Sequence, residues 1–390
     1  MRVVHVISNL NIGGAELSLC SLVETTAGQS IDHTVISLLP HGALRLRLER
    51  AGAAVVELAG HRGIAGALLL RCLARAIAAA RPSLVQAWMY HANVATSIAK
   101  SLRSFDCPLI WSIRQSADNL ALDPILTRAL IGLGAWLSVR PEAIVYNSLH
   151  GAASHEAIGY SPKRRWVIAN GVDCDRFKPR PLARGALRAE LGLERDAILI
   201  GRVARYSPMK DFDTLLRAHR QVLDRLPAAR LVMVGAGVST ANTELVSLCR
   251  KHRCLERVHL LSPRLDIESV YPALDVLVSA SSANEGFPNV VAEGLASGTL
   301  VVATGIGEER LIKAGAHAVV SPKDADALGA AILHTLRLSQ VARRDLGEQG
   351  RMFVQENFSV AAFSDRHCDL YQQLLLKAAG NRQQARRQRA

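Results

Sequence analysis

Long uncharged apolar runs are missing from this chain. No stretch reaches the roughly 18 to 20 consecutive apolar residues that a membrane-spanning helix needs. The most apolar segments, such as AIVYNS and LVMVGAG, have strand length. The opening MRVVHVIS alternates into a strand at once, without the apolar core and small-residue cleavage site of a secretory leader, so the protein is expected in the cytosol. Cysteine is scarce: the seven residues, at positions 20, 72, 107, 174, 249, 254 and 368, form no CxxC pair and no Cys/His ligand spacing. Neither a disulfide framework nor a zinc site is indicated, and reduced thiols are expected. Aromatic residues supply only 4% of the chain and do not interleave with basic ones, and no recognisable nucleic-acid-binding motif occurs. Nucleic acid is therefore not an expected partner.

What is present is apolar bulk and positive charge. A chain of 390 residues, 49% of them apolar, can bury the cores of two ordinary domains. The net charge of +13 calls for an anionic partner: phosphate-bearing small molecules, or the anionic inner face of the cytoplasmic membrane. Arg45 and Arg47, then Lys163, Arg164 and Arg165, then Arg382, Arg386, Arg387 and Arg389 are the visible clusters.

Short β-branched runs alternate with helical patterns over residues 1–172, which predicts an N-terminal α/β domain on a mainly parallel sheet covered on both faces. Residues 173–196, rich in charge and proline, have no strand pattern and read as a linker. The alternation restarts over 197–358, giving a second Rossmann-like domain. A helix over 359–379 is expected to pack back on the first domain, and the Arg/Gln-rich tail 380–390 reads as disordered. Ligands of such sheets bind beyond the carboxyl ends of the strands, so the cleft between the two domains is the expected site.

Four segments stand at those ends. NLNIGGAE follows the first strand, where Gly13 and Gly14 let backbone approach a ligand and open a helix whose N-terminus attracts anions. In WMYHAN, His91 follows a strand; a lone histidine there is more often packed or merely exposed than functional. GRVARYSPMKD puts Arg205 and Lys210 just past a strand, and the repulsion of two nearby cations is offset when a diphosphate lies between them. NEGFPNVVAEG separates Glu285 from Glu293 by eight positions, which on one ideal helix are rotated by roughly 80°. With Pro288 suited to a first helical turn, Glu285 falls in the preceding loop and Glu293 inside the helix. The N–H groups of Asn289, Val290 and Val291 are then expected to be free for a ligand, and the carboxylates to reach different hydroxyls of one long molecule. A nucleotide sugar has that shape.

With these residues the chain resembles the retaining GT-B glycosyltransferases called family 4. The similarity runs from GGAE through NSLHGAASHEAIGY, VIANGVDCDRFKP, GRVARYSPMKDFDTLLRAH and LVMVGAG to ALDVLVSASSANEGFPNVVAEGLASGTLVVAT, nearly the whole chain. WSIR, NS...HEAIGY and FPNVVAE look closest to members that build bacterial surface polysaccharides such as O-antigen or capsule. The resemblance implies a hexosyltransferase moving sugar from a nucleoside-diphosphate donor to a glycan or polyprenyl-linked acceptor with retained configuration, without metal or cofactor. It implies that Arg205 and Lys210 bind the donor diphosphate and stabilise the leaving group. It assigns Glu285 to the donor sugar hydroxyls, Glu293 to the ribose, and Asn289, Val290 and Val291 to the sugar or phosphate through backbone N–H groups. Gly13 and Gly14 would let the first domain close over the donor, His91 would stand near the reacting sugar, and Arg264, in SPRLD, would frame the base. Leu300 stands where the family commonly has proline, and Glu308 and Glu309 where a less acidic loop is usual.

Two other readings share this ligand and architecture: a non-hydrolysing nucleotide-sugar epimerase, and a GT-B binding protein that has lost catalysis. Asp173-Cys174-Asp175 and Asp211-Phe212-Asp213 spell the DxD of metal-dependent transferases, but the first falls in the linker and the second begins a helical run. GAG at 235–237 lacks the third glycine and acidic partner of a dinucleotide fingerprint.

Overall fold

A computed structural model describes residues 1–58, 66–102, 104–308, 311 and 314–387, with the side chains of 382–387 left undescribed. Glu309, Arg389 and the end of the tail lie outside these residues. The chain divides into two compact units, Met1–Gly171 with the chain from Val360 onward, and Val172–Ser359.

In the first unit the β-branched runs form β1 (Arg2–Ile7), β2 (Asp32–Ser37), β3 (Ala54–Glu57), β4 (Leu84–Trp88), β5 (Leu109–Ile113), β6 (Ala143–Tyr146) and β7 (Arg165–Val167). They pair in parallel in the order β3-β2-β1-β4-β5-β6-β7. Helices cover both faces, which is why the strands read as nearly continuous apolar runs: every residue of β4, β5 and β6 is buried. Val3 and Ile7 face one core and Val4 and Val6 the other. The helix Val360–Arg387 places Phe363, Leu370, Tyr371 and Leu374 in the first of these cores. It extends well beyond the tail boundary expected at residue 380, since nothing in KAAGNRQQARR except one glycine opposes helix.

The second unit forms β8 (Leu199–Val203), β9 (Arg230–Val234), β10 (Val258–Leu261), β11 (Val276–Ser279), β12 (Val301–Thr304) and β13 (Ala318–Val320). Again all are parallel, ordered β10-β9-β8-β11-β12-β13. The stretch read as a linker is part of this unit and carries a helix, Ala183–Glu190. Arg188 on that helix is buried and bonds Asp275 (2.7 Å) and the carbonyls of Ala197 (2.8 Å) and Ala273 (2.9 Å). A charge-rich sequence hid an element whose cation is consumed inside the fold. Among the described residues no helix is long and apolar enough to cross a membrane.

A chain of polar groups runs through the first core. Trp88 Nε1 donates to His5 Nδ1 (3.3 Å), His5 Nε2 meets His33 Nδ1 (3.0 Å), and His33 Nε2 meets Thr26 Oγ1 (2.8 Å), whose hydroxyl donates to Leu22 O (2.6 Å). This one-way relay requires both rings neutral. Burial lowers the pKa of His5, holds His33 and His155 at about 4, and holds His367 at about 3. A depressed histidine pKa means that the unfolded chain takes up the proton first. Stability is therefore complete above the unfolded value near 6.5 and is lost as pH falls toward the folded values, by about 1.4 kcal/mol per pH unit for each such ring. Denaturant titrations from pH 7 to pH 4.5 should show a steep fall with proton uptake on unfolding; a flat profile contradicts the neutral relay.

Candidate active site

Strand order reverses between β1 and β4 in the first sheet and between β8 and β11 in the second. Beyond the carboxyl ends of such strand pairs a parallel sheet leaves a crevice. Glycines 13 and 14 follow β1, and His91 lies in the helix Met89–Ser101 that leaves β4 directly. In the second unit Arg205 and Lys210 follow β8, and Glu285 follows β11.

In the second unit the loops after β8 and β11 are tied together. Ser282 N donates to Met209 O (2.8 Å), and Lys210 Nζ donates to Glu285 Oε2, which also accepts from Ser281 Oγ (2.8 Å). Arg202, on β8, is buried behind them and donates to Val278 O (3.2 Å) and Lys210 O (2.6 Å). Burial holds its pKa at about 10, opposed by the nearby carboxylates of Glu285 and Asp211. It is thus a buried cation that fixes the Lys210 backbone, and a charged residue inside the apolar run AILIGRV was its sequence signal. Asp211 (φ 46°) and Asn284 (φ 52°) hold left-handed conformations that Asp and Asn tolerate, so each active residue adjoins a sharp turn.

Arg205 is exposed, and among the described residues its side chain makes no hydrogen bond or ion pair. Its loop is placed by Gly235: a Cβ there would lie 2.1 Å from Ala204 O, while Tyr206 N donates to Ala236 O (2.7 Å). The GAG turn therefore serves close backbone packing against the arginine loop.

The helix Asn289–Ala296 begins after Pro288, which precedes the first helical residue instead of occupying it. Asn289 N donates to Phe287 O (3.0 Å) and Val291 N to Pro288 O (2.9 Å). Of the three N–H groups expected to be free, only that of Val290 makes no hydrogen bond among the described residues. The tight entry after Phe287 uses up the other two, an arrangement set by turn geometry rather than by residue type. Glu293 accepts from the buried hydroxyl of Tyr271 (2.5 Å), and burial pushes its pKa up to about 7. Tyr271 lies 22 residues away in sequence and had no local signal. Arg264 is held by Asp266 (2.8 and 2.9 Å) and by Glu190, so its guanidinium is engaged by two carboxylates. Glu308 is buried, and Gly307 (φ 106°) packs against the 285–288 turn. Leu300 is buried just before β12.

Three of the four DxD carboxylates have structural partners. Asp173 Oδ1 closes a turn by accepting from Asp175 N (3.0 Å) and Arg176 N (2.9 Å). Asp211 caps the helix Phe212–Arg225, and Asp213 pairs with Lys251 (3.0 Å) and His252 (2.9 Å). No group of three or more His, Cys, Asp or Glu suited to a metal ion occurs among the described residues.

In the first unit Gly13 precedes the helix Gly14–Thr26 in an extended conformation, and a Cβ there would strike Glu16 Oε2 at 2.4 Å. His91 is exposed on the first turn after β4, yet close enough to surrounding protein for desolvation to lower its pKa. The preceding Met89 is left-handed (φ 67°), which lets strand pass into helix with no intervening loop. Beneath this edge lies Arg114, from WSIR. It is buried, bonds Ile168 O (3.0 Å), Asn170 Oδ1 (3.3 Å) and His367 Nε2 (3.3 Å), and lies 5.0 Å from the Trp88 ring centre. Burial lowers its pKa to about 9. Sequence reading missed this role, because His367 reaches it from the far end of the chain.

Residues 12–176 match the family model described as glycosyltransferase family 4, and residues 194–337 match that of glycosyl transferases group 1. A D-inositol 3-phosphate glycosyltransferase of Rhodococcus erythropolis is 36% identical over 162 residues, covering 40% of this chain and 36% of that protein. Its counterpart in Actinosynnema mirum is 38% identical over 156 residues, covering 37% and 36%. The matched region thus spans only about a third of these curated relatives. Among solved structures, Anabaena HepE in complex with UDP and glucose superposes with a TM-score of 0.83 at 21% identity, covering 96% of this chain and all of that one (100%). WaaG, a glycosyltransferase involved in lipopolysaccharide biosynthesis, gives 0.72 at 15%, covering 95% and 99%. Two Rossmann-like units, each matched by its own family model, place this chain among the GT-B glycosyltransferases of family 4.

Proposed function

We propose that the protein is a hexosyltransferase that moves a sugar, with retention, from a nucleoside-diphosphate donor to a glycan or polyprenyl-linked acceptor of a bacterial surface polysaccharide, O-antigen or capsule. The observation that carries this reading is the exposed Arg205, unpartnered among the described residues, on the segment after β8 that also carries the Lys210 of the Lys210–Glu285 pair. One free cation and one held in reserve by a carboxylate suit a ligand that brings two phosphates. The diphosphate draws Lys210 away, and Glu285 is released toward sugar hydroxyls. Arg205 and Lys210 then stabilise charge on the departing nucleoside diphosphate, so this reading assigns the electrostatic work to protein cations and asks for no metal. Glu293, with its raised pKa and its tyrosine partner, is assigned to the ribose, Arg264 to the edge of the base, and Val290 N–H to the sugar or phosphate. His91 is assigned to the acceptor side, near the reacting sugar, and Gly13 and Gly14 to the donor.

The crystallised complexes of HepE with UDP and UDP-glucose support the donor class, and WaaG supports the surface-polysaccharide setting. The similarity to D-inositol 3-phosphate glycosyltransferases favours a second acceptor class, an inositol phosphate. We place the enzyme on the cytosolic side, peripheral to the cytoplasmic membrane through its basic surface.

A thermal-shift screen of UDP-, GDP- and ADP-sugars tests the donor. A true donor at a hundred times its Kd stabilises the fold by about 2.7 kcal/mol through mass action. Arg205→Ala should remove most of that shift. Incubation of the hit alone should yield no epimer; epimer formed without acceptor favours the isomerase. An inositol phosphate and a polyprenyl-linked glycan, supplied in parallel, separate the acceptor classes. No shift with any nucleotide sugar overturns the reading.

A further inference from the structure

The helix Ile125–Leu137 (ILTRALIGLGAWL) is apolar on both faces. Its inner side, Ile131, Gly134 and Leu137, is buried, and a Cβ on Gly134 would strike the Tyr160 hydroxyl at 2.3 Å. A helix that is apolar all round is ordinarily buried all round. This one is not: Ile125 is 77% exposed, Leu126 66%, Leu133 40% and Trp136 69%, and Val139 just beyond the helix is 60% exposed. At 100° per residue, positions 125, 126, 129, 132, 133 and 136 share one outward stripe. Within it Gly132 has no neighbouring atom within 4 Å of a built Cβ.

Every charge within the segment 124–141 is positive; Asp123 and Glu142 lie just outside its two ends, and Glu142 is paired with Lys100 (2.9 Å). From Pro124 to Pro141 the chain has no acidic residue, and Arg128 and Arg140 are exposed at its flank and end, the Arg140 guanidinium 5.5 Å from the Trp136 ring centre. Ser161 N donates to Ser138 Oγ (2.9 Å), and Tyr160 hydroxyl to Ile131 O (3.2 Å). These bonds anchor the turn carrying Lys163 and Arg164 beside the C-terminal half of the helix.

We propose that this stripe is a membrane-docking surface that lies in the headgroup region of an anionic bilayer, with Trp136, Leu133, Leu126 and Ile125 entering the acyl boundary and Arg128, Arg140, Lys163 and Arg164 meeting lipid phosphates. The inference deepens the peripheral association proposed above by naming the element responsible. At about 20 Å the helix is too short to span a bilayer and long enough to lie flat on one. A second copy of the chain is a poorer occupant, because a two-fold pairing of this face sets arginine against arginine. The helix follows the loop leaving β5, on the carboxyl edge that also carries His91, so a lipid-linked acceptor held in the membrane would arrive on the side of the unit where transfer is proposed.

The test uses the full chain with vesicles of equimolar phosphatidylglycerol and phosphatidylcholine, and with phosphatidylcholine alone. The protein should co-sediment with the anionic vesicles and less so as salt rises. Trp88 and Trp111 are fully buried and Trp166 half-buried, so a blue shift of emission on binding, lost in Trp136→Phe, reports entry of this side chain. Leu126→Glu with Trp136→Glu should lower partitioning by about tenfold or more while leaving the melting temperature unchanged. Three results overturn the proposal: no sedimentation of the unmodified protein with anionic vesicles, undiminished binding of the double variant, or a dimer in solution that the double variant converts to monomer. The assay contains neither donor nor acceptor, so its failure and a failure of the transferase reading are separate outcomes.

Discussion

Lys210→Ala is expected to lower kcat for sugar transfer by roughly a hundredfold to a thousandfold, the usual effect of removing one preorganised group that stabilises charge developing on a leaving group. The structural cost should be small. Lys210 and Glu285 are 23% and 14% exposed, and Glu285 keeps its bond from Ser281, so loss of the pair should change stability by only about 1 kcal/mol. Glu285→Gln preserves shape and the Ser281 contact but frees Lys210, and it should raise KM for the donor more weakly than it lowers kcat. Steady-state kinetics with a donor found by thermal shift, alongside melting curves, separates the two. Turnover within twofold of the unmodified enzyme in both variants would remove these residues from the active site.

Asp275→Ala should produce the largest loss of stability. Its carboxylate, buried at the amino ends of β8 and β11, accepts from Arg188 (2.7 Å), Arg184 (2.5 Å) and Leu199 N (2.8 Å). Arg188 is only 1% exposed, so truncating Asp275 strands a buried guanidinium, which costs about 3–5 kcal/mol. For a unit of this size that lowers the melting temperature by roughly 10 °C. Replacing Arg188 and Asp275 together by leucine should recover part of the loss, because the stranded charge goes with its partner. Asp275 stands at the edge of the sheet opposite to Lys210 and Glu285, so donor affinity well below the melting temperature should be unchanged. A melting point shifted by less than 2–3 °C would mean that Arg188 finds other acceptors or water.

Local chemistry made much of this readable. β-Branched runs interrupted by amphipathic helices specify parallel sheets, and each run named from sequence became a strand. The loops bearing Arg205, Lys210, Glu285, His91 and the two glycines could be placed at strand ends because strand boundaries were plain. What could not be read was which side chains meet across sequence distance. Tyr271 with Glu293, Arg202 behind Lys210, and His367 with Arg114 are partnerships created by packing, and no period or spacing encodes them. The N–H groups of Asn289 and Val291 were lost to a turn whose dihedrals, not its residue types, decide who bonds whom. Residues 173–196 misled because charge usually marks solvent, whereas Arg188 is buried against Asp275.

The first unit is built from both ends of the chain, with Phe363, Leu370 and Tyr371 filling the core begun by Val3 and Ile7, while the second is one uninterrupted segment. A ribosome therefore delivers everything the later unit needs before it delivers the last piece of the earlier one. During synthesis the amino-terminal sheet must wait, one face covered only in part by Leu19, Leu22, Val23 and Leu48, until its closing helix emerges. A stop codon at position 360 would strip Phe363, Leu370, Tyr371 and Leu374 from that core for good, making aggregation, rather than a merely slower enzyme, the consequence of losing the final helix.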